Sequence, residues 1–367
     1  YRGRCVYESE FRLRVPGRYH LALAWIREDY AGGFDKQSWP PANYDKPLGD
    51  DVHLVFNGPP GVSMLSALQA VRAGAGLPTC AARELAGDTS WLTGRWVTVH
   101  DTAAAVFKTA AYTKNDLKGA KLGSGGPASA YTRAGIRIVP WVEISDYVWT
   151  PYACRLPPLG THAVKRCLQS RGGKVDMQGD SHSRNNANAF GKLMTGLKYR
   201  SLVKGGSDWA SKCFDGSNSS SVCSVRAKPD EPATLPVGAS DVVFMNQGQH
   251  PLAGWKPIPE YVELLAGVVK KVQAAPPDVR RRFAWVETVH LPIRIDGFVR
   301  TNKDGRSLTR TLAFNHLANT AMLAAGITVI PGSQPTLPVI DMGFDYAHFQ
   351  LPVVQHGTLL AMTHWMC

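Results

Sequence analysis

The sequence predicts an α/β fold, a parallel sheet flanked by helices, with a separate β-rich segment before it. Two patterns carry that expectation. From about residue 160, short apolar runs alternate with longer stretches of helical periodicity, the pattern of strands and crossover helices. Residues 5–80 instead alternate apolar and polar side chains, with Pro/Gly turns between, as half-buried strands do. A chain of 367 residues can bury a large core and form more than one domain. The division expected is 1–80, 81–148 and 149–367.

In the first segment Phe11, Leu13 and Val15 alternate with arginines, Pro16 and Gly17 make a turn, and Tyr19, Leu21, Leu23 and Trp25 resume the alternation. That is a hairpin signal, and the Pro/Gly-rich turns at 40–61 fit a small β-sandwich. Residues 81–148 contain a Gly-rich loop at 119–126 and read as a minor lobe. Beyond them, strands are expected at 174–178, 241–246, 283–289 and 326–330, and helices at 184–196, 258–274, 307–325 and 352–364. The helix at 258–274 carries acids first and Lys270 and Lys271 last, the order the helix dipole favours. One strand is anomalous. In 174–178, Asp176 falls where a central parallel strand should be apolar, so Asp176 is expected at a sheet edge or as the buried partner of a cation.

Composition is that of a globular protein, 44% hydrophobic and 19% charged. No run of about 18 apolar residues is present to span a bilayer. The chain starts at Tyr1, which leaves open a removed signal or anchor. A net charge of +12 suggests anionic surroundings. The basic residues are scattered with no nucleic-acid motif, so an anionic glycan or the phosphates of a donor is the partner expected, unless the charge serves solubility alone. Seven cysteines exceed what packing needs. Cys213 and Cys223 flank a Ser/Asn/Gly-rich loop and are expected to close it as a local disulfide, and the loop holds the glycosylation sequon at Asn218. Both features point to an oxidising secretory compartment. The cysteine spacings are not those of a zinc site, and no bound cofactor is expected.

Chemistry is concentrated in Gly179-Asp180-Ser181-His182-Ser183-Arg184-Asn185 and in Asp345 and His348, three residues apart. A serine hydroxyl becomes a nucleophile when a histidine takes its proton and a carboxylate orients that imidazole. Ser181, His348 and Asp345 supply these groups. His250, His290 and His364 are competing bases, and Asp341 is a rival acid.

These segments belong to an ordered series. Trp149, Pro151, Cys154, Leu156 and Pro157 come first, and an Arg166–Lys174 stretch precedes the Gly-Asp-Ser motif. Asn246-Gln247-Gly248-Gln249-His250 follows, and Asp345 and His348 come last, before Leu351 and Pro352. The series, spanning about 149–360, resembles the signature of the PC-esterase group of the SGNH (GDSL-like) superfamily. That group includes plant trichome-birefringence-like polysaccharide O-acetyltransferases and animal NXPE proteins. The segment around Phe11–Leu21 also looks like the filamin-type immunoglobulin-like domain of NXPE-type proteins. Trp91, Gly94 and Trp96 resemble an opening block of the plant members.

The resemblance implies an SGNH-like catalytic domain over 149–367 and an immunoglobulin-like domain over 1–80. Its triad would be Ser181, Asp345 and His348. Asn246 would donate to the oxyanion, Arg184 would support it or position substrate, and Gly179 and Gly248 would allow close backbone approach. The implied activity is carbohydrate O-acetyl transfer from an acetyl donor such as acetyl-CoA, in the Golgi lumen or outside the cell. Acetyl ester hydrolysis by the same triad is the alternative, and a catalytically silent glycan-binding or structural glycoprotein is a third. The acceptor motif of the plant enzymes is not recognisable.

Overall fold

The computed structural model describes residues 17–21, 24–28, 42–47, 52–57, 78, 80, 90–98, 147–154, 156, 161–171, 173–193, 198–201, 212–215, 221–226, 235, 238, 241–254, 256–290, 306, 308–337 and 352–367. The chain divides into two compact units, Tyr1–Glu28 with Asn43–Gly76, and Asp29–Ala42 with Leu77–Cys367.

Strand β1 (Gly17–Leu21) pairs antiparallel with β4 (Val52–Phe56), placing Tyr19 opposite Leu54. Between them in sequence, β2 (Ala24–Glu28) and β3 (Ala42–Pro47) form a second two-stranded sheet. The strand expected at 11–15 lies outside the described residues, and so does most of the expected sandwich.

In the larger unit, β5 (Gly94–Thr98) pairs antiparallel with β6 (Tyr147–Pro151), with Trp96 in backbone register with Trp149. The Cys80–Cys154 disulfide ties together the chain on either side of this ribbon. Helix α1 (Thr161–Arg171) then leads to β7 (Lys174–Gly179), and α2 (Ser181–Leu193) follows at once. The order continues with β8 (Lys198–Ser201), β9 (Lys212–Asp215), β10 (Ser221–Arg226) and β11 (Val242–Met245). Next come α3 (Gln249–Ala253), α4 (Ile258–Gln273), α5 (Pro277–Arg280) and β12 (Phe283–Val286). The last elements are α6 (Leu308–Ala324), β13 (Thr328–Ile330), α7 (Ser333–Thr336) and α8 (Pro352–Met366).

The sheet has the order β13-β12-β11-β7-β10-β9-β8. Its first five strands are mutually parallel, and β9 and β8 add antiparallel pairs at one edge. From β7 the chain goes to β10 on one side, then returns to β11 on the other. The carboxyl end of β7 is therefore a topological switch point, where flanking connections diverge and leave a crevice in open α/β sheets.

Apolar sequence explains the central strands. Every residue of β11, β12 and β13 is buried, as strands covered on both faces require. Helix α4 shows how the outer layer is made. Pro259 stands in its first turn, Glu260 follows, and Lys270 and Lys271 close it. Tyr261, Leu265, Val268 and Val272 are buried along one stripe, each contributing roughly 1.5–3 kcal/mol through burial. Tyr261 stacks on Phe314 of α6 with ring centroids 4.2 Å apart.

Helix α8 is fastened at several points. Its Gly357 backs onto Trp149 so closely that an added Cβ would lie 2.7 Å from the Trp149 Cβ. Its Trp365 meets Phe244 edge-on at 5.3 Å. Cys367, just past its end, is disulfide-bonded to Cys167 of α1.

One of the two placements expected for Asp176 holds, and one expected strand is shorter. Asp176 is not at an edge, because β7 lies between β11 and β10. It is the part-buried partner of a cation, 2.9 Å from Lys174 Nζ, and burial raises its carboxyl pKa despite that lysine. The expected strand 283–289 stops at Val286, and Glu287 to His290 run on beyond the sheet. Cys213 and Cys223 do form a disulfide, directly opposite each other on β9 and β10. Asn218, which falls between those strands in sequence, lies outside the described residues.

Candidate active site

The turn from β7 into α2 is built by its own side chains. Gly179 has φ +147°, a region L side chains rarely adopt. A Cβ there would also collide with the Asn246 carbonyl oxygen and the Ser183 hydroxyl. Asp180 caps the helix, its Oδ1 accepting the His182 N–H at 2.8 Å, and Ser183 Oγ donates to the Gln178 carbonyl at 3.1 Å. Because Asp180 fills the cap role, Ser181 stands inside the first turn as the leading helical residue. Ser181 is only 9% exposed. Arg184 is part-buried in the same turn, its N–H reaching the Asp180 carbonyl at 3.2 Å.

Parallel pairing brings the next block alongside. Met245 registers with Gln178, and the Asn246 N–H donates to the Gln178 carbonyl at 2.9 Å. Gly179, Ser181, Asn246 and Gly248 thus gather at the carboxyl ends of two adjacent strands, at the switch point. The Asn246 carboxamide is fully engaged. Its Nδ2 donates to the Val286 carbonyl at 2.8 Å and to Thr288 Oγ1 at 3.1 Å, while its Oδ1 accepts the Gly248 N–H at 3.3 Å. Gly248 lies against Thr288, with no room for a side chain. Asp345 and His348, like the rival Asp341, lie outside the described residues.

The exit from β12 carries chemistry that spacing analysis passed over. Glu287 stands three residues before His290, the same spacing as Asp345 and His348, so that spacing alone does not single out His348. Both Glu287 and His290 are buried. The Glu287 carboxylate accepts from Asn319 Nδ2 at 2.7 Å and from the N–H groups of Gly332 and Ser333 at 3.1 and 3.0 Å. Burial raises its pKa against those three donors. Burial also lowers the His290 imidazole to about 4, which keeps it neutral near pH 7.

His290 Nε2 lies 2.8 Å from Ser333 Oγ, a nucleophile–base distance. The rest of a catalytic arrangement is missing there. Nδ1 of His290 has no hydrogen-bond partner among the described residues, so Glu287 does not orient the ring. The backbone N–H groups beside Ser333 that would face an oxyanion are taken by Glu287 itself. The pair is a fastening between β12 and α7. His250 and His364 are part-buried, on α3 and α8.

Among the described residues no three His, Cys, Asp or Glu side chains are grouped to hold a metal ion, and no helix is long and apolar enough to cross a membrane. Compared with known proteins, the chain matches no family model and no curated protein. The three disulfides are a pattern typical of secreted or extracellular proteins.

Proposed function

We propose that the chain is a serine-dependent carbohydrate O-acetyltransferase, of SGNH-like architecture, that works through an acetyl-Ser181 intermediate in the secretory pathway or outside the cell. The observation that carries this reading is the position of Ser181. It leads a helix at the carboxyl end of the switch-point strand, beside Gly179, Asn246 and Gly248.

The chemistry runs in two halves. Ser181 Oγ attacks the acetyl carbonyl carbon of the donor as His348, oriented by Asp345, takes the hydroxyl proton. The carbonyl becomes a tetrahedral oxyanion, held by the Ser181 N–H at the start of α2 with Arg184 nearby, since the Asn246 and Gly248 N–H groups are given to the Gln178 carbonyl and to Asn246 Oδ1. The bond to the donor's leaving group then breaks, and the imidazolium returns its proton to that group. A sugar hydroxyl next gives its proton to His348 and attacks the acetyl-serine. The Ser181–acetyl bond breaks and Oγ recovers the proton. Water in place of the sugar would give an esterase.

The 9% exposure of Ser181 favours transfer, because a site closed to water protects an acyl-enzyme from hydrolysis. The net charge of +12 suits an anionic acceptor or a phosphate-bearing donor such as acetyl-CoA. The test compares wild type with Ser181→Ala on p-nitrophenyl acetate, with and without oligosaccharide acceptors. A Ser181-dependent burst, accelerated by acceptor and accompanied by an acetyl mass gain on the sugar, supports transfer. Turnover that acceptors do not touch supports the esterase. Inertness of both proteins with retained glycan binding removes the enzymatic reading.

A further inference from the structure

We propose that Thr288 is a positioning residue for this site, held by Asn315, and that it locks the Asn246 carboxamide in the orientation the Val286 carbonyl and the Gly248 N–H dictate. The proposal deepens the acyl-transfer reading and rests on it.

A carboxamide has one donor end and one acceptor end, and a half-turn exchanges them. Asn246 could in principle sit either way in its slot. The Val286 carbonyl at 2.8 Å can only accept and so draws Nδ2 to its side, where Thr288 Oγ1 at 3.1 Å takes the second N–H. The opposite end then meets a donor, the Gly248 N–H. Turning the group over would set its oxygen against a carbonyl oxygen and its NH₂ against an N–H.

Thr288 is itself held on both sides. Its N–H donates to Asn315 Oδ1 at 2.9 Å, and its carbonyl accepts from Asn315 Nδ2 at 2.8 Å. One asparagine of α6 thus pairs with the backbone as a neighbouring strand would, just where β12 has left the sheet. Thr288 is 1% exposed, Asn246 4% and Asn315 4%, so water does not compete for these bonds. Thr288 also fills the space beside Gly248 where a Cβ would go. The hold therefore passes from α6 through Thr288 to Asn246, whose backbone N–H bonds the Gln178 carbonyl three residues before Ser181. A core that needed only shape would accept valine at 288. What a valine cannot supply is the second acceptor.

The test uses the full chain with p-nitrophenyl acetate as surrogate donor and compares wild type, T288V, T288S and S181A. For T288V we expect kcat to fall at least about tenfold with KM within about twofold, the pattern of a misaligned transition-state contact. T288S, which restores the hydroxyl, should recover most of kcat. Should T288V not fold, Asn315→Ser carries the same expectation through the backbone clamp. Wild type without Ser181-dependent turnover overturns the acyl-transfer reading and this proposal together. Ser181-dependent turnover that T288V or Asn315→Ser leaves intact overturns this proposal alone. Equal impairment of T288V and T288S also overturns it, because shape and not the hydroxyl would then be what matters.

Discussion

His290 Nε2 and Ser333 Oγ are 2.8 Å apart in a pair almost wholly withdrawn from solvent, and that contact joins the exit of β12 to the start of α7. The His290 N–H strengthens it by donating to Thr336 Oγ1 at 2.9 Å. Because the imidazole resists protonation, the pair should make stability depend on pH.

A histidine whose pKa is lower in the folded state, here about 4 against an ordinary 6.5, destabilises the fold once protons are abundant enough to charge it. Its contribution is complete above pH 6.5 and is lost progressively as pH falls towards 4. The full loss would be about 3 kcal/mol by linkage. Glu287 works in the opposite sense, because its raised pKa means that the folded chain holds that proton more tightly. The comparison that isolates the histidine is wild type against His290→Gln in urea unfolding between pH 4 and 7. Wild type should lose more stability than the variant on acidification, and parallel curves would refute the expectation.

Glu287 can be replaced by glutamine at small cost. Its carboxylate accepts from two backbone N–H groups and from Asn319. A glutamine oxygen can keep the backbone bonds if the Asn319 side chain turns over and offers its oxygen to the new NH₂. Asn319 Oδ1 is buried with no partner among the described residues, so it is available for that turn. Glu287→Leu strands both N–H groups instead and should cost about 2–4 kcal/mol. Thermal unfolding of the two variants side by side checks the difference.

Gly179→Ala should destabilise by about 2–3 kcal/mol and impair catalysis. The backbone there is in a glycine region, and the added methyl would meet the Asn246 carbonyl and Ser183 Oγ. Gly267, on an open face of α4, is the control. Gly267→Ala should stabilise by up to about 1 kcal/mol, since it removes a helix-interior glycine.

The Cys167–Cys367 disulfide closes a sequence separation of 200 residues. Cys167→Ser should lower stability by about 2–5 kcal/mol. Reduction of wild type, which can also open Cys80–Cys154 and Cys213–Cys223, should cost at least as much, and equilibrium unfolding with and without reductant would measure both. A variant as stable as the parent would show that packing of α8 alone suffices.

Much of the larger unit was legible because its signals are local. The stripe Tyr261, Leu265, Val268 and Val272 and the apolar run at 242–245 announce themselves within one window of sequence. The β7 strand is legible in extent, while its Asp176 leaves two placements open. Asp176 pointed either to an edge or to a cation partner, and the contact with Lys174, two residues away on the same strand, makes its central position tolerable. Strand β10 was missed because Ser221, Cys223 and Ser224 look like loop residues, and its partner on β9 is fixed by a disulfide, not by an apolar pattern. At the candidate site, Ser181, Gly179 and Asn246 could be picked out as motif residues. Thr288 and Asn315 could not, because no local rule marks a threonine whose importance lies in contacts 42 and 27 residues away.

The seating of Gly357 on Trp149 has an evolutionary corollary. Neither position can drift alone: a methyl at 357 finds the indole in its way, and shrinking the indole leaves a hole under α8. Among any homologues, substitutions at the two sites should therefore appear together, the larger residue moving from one partner to the other.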